Sequence, residues 1–367
     1  MDKVKKGQPV RKDYMFFLPT LGVGGTEKAV SLLAESLGKH NRILVLTLSE
    51  LAFDHRTIVS VERASLEGLR DSPNLLSSLF QNGKRLYKLF KVVKHYRPRV
   101  MLSFLPQCNV LSIIIGLITP VIVIVNERNS LQNQELSEAW KLLRRVLYRF
   151  ADGVFGNSQA ICREIKELCG RDAVLTKNPI RIPTAHEKIW TEKRVISIGR
   201  LVHQKGFDLL IESFESSALA ESGWTLDIYG EGPLRQELER LIRVYDLGGS
   251  VNLMGQHGVG YEEMMGANIF ALCSRFEGLP NAALEAMSYA VPCLVSDRTG
   301  GLIDIVEHMQ SAVIVSPERS DVADGLRFLA SNIEEQKRIG ENGRRLMGRY
   351  ESSLVADEWE GLIWLTQ

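Results

Sequence analysis

Residues 14–37 read YMFFLPTLGVGGTEKAVSLLAESL. The first five are apolar, the middle is a turn carrying Gly22, Gly24 and Gly25, and beyond Thr26 the positions Ala29, Leu32, Leu33 and Leu37 recur at helical spacing. Strand, glycine turn and helix in that order form half of a β-α-β unit, whose next strand pairs parallel to the first. Outward from this stretch, 42–48 (RILVLTL), 100–105 (VMLSFL), 121–125 (VIVIV) and 153–156 (GVFG) read as further strands. Their hydrophobicity is continuous and does not alternate, which marks strands covered on both faces. Helical stretches lie between several of them, so the predicted class is α/β with a doubly wound parallel sheet.

The pattern restarts after the proline-marked segment 178–183. Short core strands are predicted at 194–198, 225–229, 251–254, 269–273, 293–296 and 312–315. A chain of 367 residues suits two domains. The expected division is 1–182 and 183–345, with 346–367 holding a last helix at 353–365. Its Trp359 and Trp364 are able to pack on either domain, and a return to the first is the expectation.

Composition narrows the function. With 45% hydrophobic and 24% charged residues the chain is an ordinary globular one, outside the disordered regime. The five cysteines are scattered and lack the CxxC spacing of a zinc site or a redox pair, so they read as reduced and structural. The basic N-terminus has no apolar stretch of roughly 7 to 15 residues, which argues against a secretory leader and for a cytoplasmic protein. The longest apolar run, 110–125, is shorter than the roughly 20 residues of a membrane span and contains Pro120, so it reads as helix then strand.

Charge is unevenly divided. Residues 1–150 hold 23 Lys+Arg against 12 Asp+Glu, and residues 151–367 hold 22 against 32. Between Asp71 and Glu127 there is no acidic residue. The stretch 83–97 (GKRLYKLFKVVKHYR) carries an apolar stripe at Leu86, Leu89, Phe90, Val93 and Tyr96 among lysines. An amphipathic cationic helix suits an anionic membrane surface, and equally a helix that covers the sheet and leaves its lysines in water.

Three segments carry chemistry. Residues 22–28 (GVGGTEK) sit between strand and helix, where glycines admit a ligand close to the backbone and helical N–H groups favour an anion. The spacing is not that of a Walker A loop, and a ligand-free tight turn remains the alternative. Arg200 and Lys205 share the loop after the first strand of the second half. Two cations there suit a diphosphate, the alternative being a solvated pair. Residues 277–287 (EGLPNAALEAM) put Glu277 on a loop and Glu285 eight positions later inside a helix entered through Pro280. Carboxylates accept hydrogen bonds from sugar hydroxyls and the helix N-terminus suits a phosphate, although two exposed acids would give the same spacing.

Taken in order, Gly24-Gly25-Thr26-Glu27, the run 199–206 (GRLVHQKG), 229–233 (YGEGP) and 277–287 resemble the large fourth family of retaining GT-B glycosyltransferases of bacterial surface-polysaccharide assembly. The agreement covers nearly the whole chain and is closed by two glutamates with seven residues between them. The resemblance implies two Rossmann-like domains with a nucleotide-diphosphate sugar in the cleft between them. It implies that Arg200 and Lys205 grip the diphosphate, that Glu285 meets the ribose, and that Glu277 with the backbone of Gly278, Leu279, Pro280 and Asn281 faces the transferred sugar. Gly24 and Gly25 would close over the phosphates, and Gly230 and Gly255 would shape the nucleotide pocket. Glu277, Arg200 and Lys205 are thus the expected catalytic residues.

The resemblance further implies a reaction that keeps the anomeric configuration and uses neither metal nor cofactor, the nucleotide sugar, expected to be a UDP-sugar, being a substrate. The implied acceptor is a glycan or a polyprenyl-linked one. Many relatives carry a histidine just after the strand at 101–105, where this chain has Phe104 or its neighbours. Glu127 and Arg128, after another strand, form the nearest polar cluster and are the candidate acceptor contacts, with a local salt bridge as the alternative. A nucleotide-sugar 2-epimerase on the same scaffold is the competing enzyme class. Nucleic-acid binding by the cationic half lacks any base-reading motif to support it.

Overall fold

The computed structural model describes residues 11–22, 24–49, 61–66, 75–132, 134, 136–183, 190, 192–256 and 261–366, without side chains for 75–80 and 261–262. Val23 of the expected phosphate loop lies outside the described residues. The chain divides into two compact units, Met1–Pro179 with Ser352–Gln367, and Ile180–Glu351.

The first unit holds β1 (Tyr14–Leu18), α1 (Gly25–Leu37), β2 (Ile43–Thr47), β3 (Glu62–Ser65), α2 (Leu75–Tyr96), β4 (Val100–Phe104), α3 (Pro106–Gly116), β5 (Ile122–Glu127), α4 (Glu138–Leu147), β6 (Gly153–Gly156), α5 (Gln159–Cys169) and β7 (Val174–Leu175). The sheet is parallel in the order β3-β2-β1-β4-β5-β6-β7, and the direction of winding reverses between β1 and β4. Such a reversal opens a crevice at the carboxyl ends of the strands. Successive β1 side chains face opposite cores: Phe16 and Leu18 meet Val30 and Leu33 of α1, while Met15 and Phe17 meet Leu89 and Val93 of α2. Both faces are dry, which is why these strands read as continuous apolar runs.

Two strands have no such signature. β3 is Glu-Arg-Ala-Ser and β7 only two residues long, and both lie at sheet edges where one neighbour is missing. The expected membrane-facing stripe also differs from the structure. Leu89 and Val93 of α2 are buried and Leu86, Phe90 and Tyr96 pack beside them, so the stripe covers the sheet.

The second unit repeats the plan with β8 (Arg194–Ile198), α6 (Phe207–Ser216), β9 (Thr225–Tyr229), α7 (Arg235–Val244), β10 (Val251–Gly255), α8 (Tyr261–Gly266), β11 (Ile269–Leu272), α9 (Asn281–Ser288), β12 (Cys293–Ser296), β13 (Val313–Val315), α10 (Arg319–Ser331) and α11 (Ile333–Met347). Its parallel sheet runs β10-β9-β8-β11-β12-β13, reversing between β8 and β11. Leu210 and Phe214 of α6 close one face, and Ala283 and Met287 of α9 close the other.

The last helix, α12 (Ser352–Leu365), belongs to the first unit. Trp359 is fully buried, with ring centroids 6.4 Å from Phe104 and 5.5 Å from Phe155. Its indole N–H donates to the Lys177 carbonyl at 3.1 Å. Trp364 stays half exposed beneath the Arg99 guanidinium. Among the described residues no helix is long and apolar enough to cross a membrane.

Candidate active site

The site is assembled in the second unit where the loops after β8 and β11 cross. After Ile198 the chain turns through Gly199 and Arg200 and makes one 3-10 turn, His203–Lys205, which ends in Gly206 at φ +66°. A Cβ on Gly206 would lie 2.1 Å from the Cys273 carbonyl oxygen, so only glycine lets the two loops pass. They are then stitched together. The Gln204 amide donates to the Phe276 carbonyl at 2.9 Å, and the Arg275 N–H donates to the Gln204 carbonyl at 2.8 Å. The Arg275 guanidinium forks onto Asp208 at 2.9 and 2.6 Å. Burial opposes ionisation of Asp208, and Arg275 more than offsets it, so the carboxyl sits below its ordinary value.

This crossing delivers Lys205 to Glu277. The ammonium donates to Glu277 Oε1, and the Ser274 hydroxyl donates to the same oxygen at 3.0 Å. The carboxylate side chain is 8% exposed and the lysine 20%, so the pair is mostly shielded from water. Gly278 follows, and its carbonyl accepts the Gly301 N–H at 2.6 Å. Leu279 and Pro280 are buried and lead into α9 with no side-chain cap, so Asn281 opens the helix and Glu285 lies one turn along it, half buried. Arg200 is exposed on the Lys205 loop.

Backbone proximity fixes the surrounding glycines. A Cβ on Gly230, at φ +148°, would sit 1.8 Å from the Gly199 carbonyl oxygen. The Gly230 N–H donates to the Gly255 carbonyl at 2.9 Å, which joins those two loops. The structure therefore brings Lys205, Glu277 and Gly278 into one cluster and Gly230 beside both Gly255 and the start of the Arg200 loop. Sequence reasoning missed Ser274, Gly206 and Gly300. Gly300 has φ +51°, and its Cβ would fall 2.2 Å from the Glu277 carbonyl oxygen. The doubled glycine at 300–301 was the available signal.

In the first unit, Gly24 precedes α1 and a Cβ there would lie 2.2 Å from Glu27 Oε2, because that carboxylate folds back over the helix N-terminus. Gly25 is the first residue of α1.

Glu127 and Arg128, expected to face an acceptor, are 0% and 3% exposed. Glu127 accepts from the Tyr148 hydroxyl and, at 3.2 Å, from the Gln134 amide, with Arg144 at 3.9 Å. Burial pushes its carboxyl above the ordinary value, and these partners only partly oppose the shift. The Arg128 guanidinium carbon lies 5.7 Å from the Phe104 ring and 5.6 Å from Trp359, and burial lowers its pKa to about 10. Arg144 of α4 and Tyr148, in the 3-10 turn after it, hold the Glu127 carboxylate inside, whereas the Arg128 guanidinium nitrogens are buried with no hydrogen-bond partner among the described residues. Phe104, where relatives were expected to have histidine, is itself in the core.

Two Rossmann-like parallel sheets, the second with a cation–carboxylate cluster at a helix entrance, have the architecture of the GT-B fold. Residues 181–346, a little under half of the chain, match the family described as glycosyl transferases group 1. The chain is similar to a GalNAc-alpha-(1->4)-GalNAc-alpha-(1->3)-diNAcBac-PP-undecaprenol alpha-1,4-N-acetyl-D-galactosaminyltransferase of Campylobacter jejuni, 27% identical over 95% of this chain and 97% of that one. It is 23% identical to the amylovoran biosynthesis glycosyltransferase AmsD of Erwinia amylovora, over 93% and 96% of the two chains. Among solved structures, Anabaena HepE in complex with UDP-glucose superposes with a TM-score of 0.81 at 18% identity, over 96% of this chain and 99% of that one, a likeness of fold.

Proposed function

We propose that the chain is a retaining, metal-independent hexosyltransferase that moves an N-acetylhexosamine or hexose from a UDP-sugar to a glycan or polyprenyl-linked acceptor in surface-polysaccharide synthesis. The observation that carries this reading is the shielded Lys205–Glu277 pair beside the entrance to α9. A cation placed at a helix N-terminus matches a departing nucleoside diphosphate, and an adjacent carboxylate matches a sugar hydroxyl. The acceptor class follows the similarity to an enzyme whose named acceptor is linked to undecaprenyl diphosphate. Five free cysteines agree with a reducing cytoplasm.

In the proposed reaction the bond between the sugar C1 and the diphosphate oxygen breaks. Negative charge gathers on the leaving diphosphate, where the Lys205 ammonium and the Arg200 guanidinium stabilise it. The acceptor hydroxyl oxygen bonds to C1 from the face the diphosphate leaves, and its proton passes to the departing phosphate oxygen. Glu277 holds a hydroxyl of the transferred sugar and Glu285 the ribose. Thermal unfolding measured with UDP-, GDP- and ADP-sugars tests the donor assignment. Stabilisation by UDP-sugars that Arg200→Ala or Glu285→Ala removes is expected, whereas an unchanged nucleotide response in both variants would end the assignment of this site.

A further inference from the structure

Arg128 stands one residue beyond the end of β5, 3% exposed, and its Nε, Nη1 and Nη2 make no hydrogen bond among the described residues. The neighbouring carboxylate is no partner for it. Successive residues of an extended chain face opposite sides, and Glu127 is held on the other side by Tyr148 and Arg144. What Arg128 does meet is aromatic, the rings of Phe104 and Trp359. Rings at such distances attract the charge but leave the N–H donors unused. Burial lowers the pKa of the group only to about 10, so it is charged at neutral pH. Two more buried atoms at the same strand ends lack partners, Oδ1 of Asn126 and Oδ1 of Asn157. Their amide nitrogens are engaged, on the Ser103 carbonyl at 3.1 Å and the Arg128 carbonyl at 3.3 Å.

A buried unpaired cation is costly, and native interiors keep few such groups unless something outside the fold supplies the partner. Position and chemistry identify that partner. In open α/β sheets ligands lie outside the carboxyl ends of the strands where the winding reverses, and β5 adjoins β4 at that reversal. Phe104, which Arg128 meets, leads through Leu105 into α3, a helix that no side chain caps. Leu105 is held at φ +73° and ψ 147°, a conformation that strains a leucine and is found where ligands are clamped. A guanidinium with its donors unused, at the approach to an uncapped helix start, suits a phosphoryl group, whose oxygens take the Arg fork. In the proposed reaction the donor diphosphate already has Arg200 and Lys205 of the second unit. A diphosphate on the acceptor has no cation assigned to it.

We propose that Arg128 is the receptor for a phosphoryl group of the acceptor, the diphosphate that links a glycan to its polyprenyl carrier. The inference rests on the acceptor class proposed above and gives the first unit its own anion-binding residue. Without that anion the buried charge stands unpaired. An apolar residue of similar length in its place therefore relieves the fold and removes the ligand contact.

Calorimetry on the full chain tests this with inorganic pyrophosphate and farnesyl diphosphate as probes and farnesol as the phosphate-free control. The background carries Arg200→Ala and Lys205→Ala, so that the proposed donor cations contribute nothing. Both diphosphates are expected to bind in it, and adding Arg128→Met should weaken them at least about 30-fold. Arg128→Lys should recover part of that loss, because it keeps the charge without the fork. Any affinity for farnesol should be the same with and without Arg128. In the otherwise unaltered chain Arg128→Met should leave UDP affinity as it is, and its ligand-free unfolding midpoint should hold or rise by about 2 to 4 °C. Equal diphosphate affinity with and without Arg128 overturns the proposal, as does absence of diphosphate binding in the background. A parallel loss of UDP affinity in Arg128→Met would assign the residue to the donor and overturn the acceptor reading. Failure of the donor site shows separately, as a UDP response that Arg200→Ala leaves intact.

Discussion

The ammonium of Lys205 donates to the carboxylate of Glu277 across 72 positions of sequence. Without a donor each group satisfies the other, which keeps a largely shielded cation and anion from standing unpaired. On the proposed reading a bound nucleotide sugar would exchange this one contact for two, diphosphate on Lys205 and hydroxyl on Glu277. On that reading the pair would compete with its own ligand.

That competition separates two variants. Lys205→Ala removes the cation and should cost UDP roughly 2 to 3 kcal/mol of binding. Glu277→Gln instead frees the cation, so UDP affinity should hold or rise a few-fold while sugar transfer falls by roughly 100-fold. Calorimetry with UDP alongside product formation makes the comparison. If Glu277→Gln weakens UDP as severely as Lys205→Ala, the two groups bind the nucleotide jointly and the competition does not exist.

Three glycines grade the cost of a side chain at positive φ. Gly223 has φ +77° and nothing within 4 Å of an added Cβ, so Gly223→Ala should cost about 1 kcal/mol, from backbone conformation alone. Gly206 and Gly230 add a Cβ 2.1 and 1.8 Å from carbonyl oxygens. Their alanine variants should lose about 3 kcal/mol or more, and with them the alignment of Lys205. Urea midpoints give the ranking, and equal losses at all three sites would show that the crossing loops yield easily.

Much of this could be read from the chain because burial and chemistry coincide in it. Strands covered on both faces, such as β1 and the first four residues of β5, are apolar, and the glycines at 230 and 255 take positive φ, which strains any other residue. The edge strands β3 and β7 were invisible because an edge needs no apolar face. The burial of Glu127 was hidden for a related reason. A charged residue at the carboxyl end of a strand normally faces solvent or ligand, and nothing local reveals that Arg144, 17 positions on, neutralises it inside. For α2 the sequence shows an amphipathic helix but not which side is wet, and only the packed sheet decides that.

The returning helix makes a further test. Trp359 is fully buried between Phe104 and Phe155 and is tied to the Lys177 carbonyl. Trp359→Ala should destabilise the first unit by roughly 3 to 5 kcal/mol, while Trp364→Ala, at a half-exposed ring, should cost under about 1 kcal/mol. Chemical denaturation followed by hydrogen exchange in β4 and β6 distinguishes them. Equal effects would mean that α12 is held by its length and not by that one indole.

Acid should loosen the crossing of the β8 and β11 loops before it unfolds the sheets. Asp208 has a folded-state pKa below its ordinary value of 3.8, because the Arg275 fork outweighs the burial that opposes ionisation. A lowered carboxyl pKa means that the unfolded chain binds protons first as the pH drops, so the pair's contribution is complete above the ordinary value and disappears on descent through the folded one. Both side chains are about one-third exposed, at 30% and 32%, and solvent screening holds that contribution to roughly 1 kcal/mol. The stability difference between wild type and Asp208→Asn should thus be constant from neutral pH down to about pH 5 and shrink below pH 4. Because Arg275 also donates to the His203 carbonyl at 2.7 Å, Asp208→Asn should reduce UDP binding at neutral pH as well, by letting the Lys205 turn shift. A stability difference that persists undiminished at acid pH would assign the stabilisation to packing of the Asp208 side chain and not to its charge.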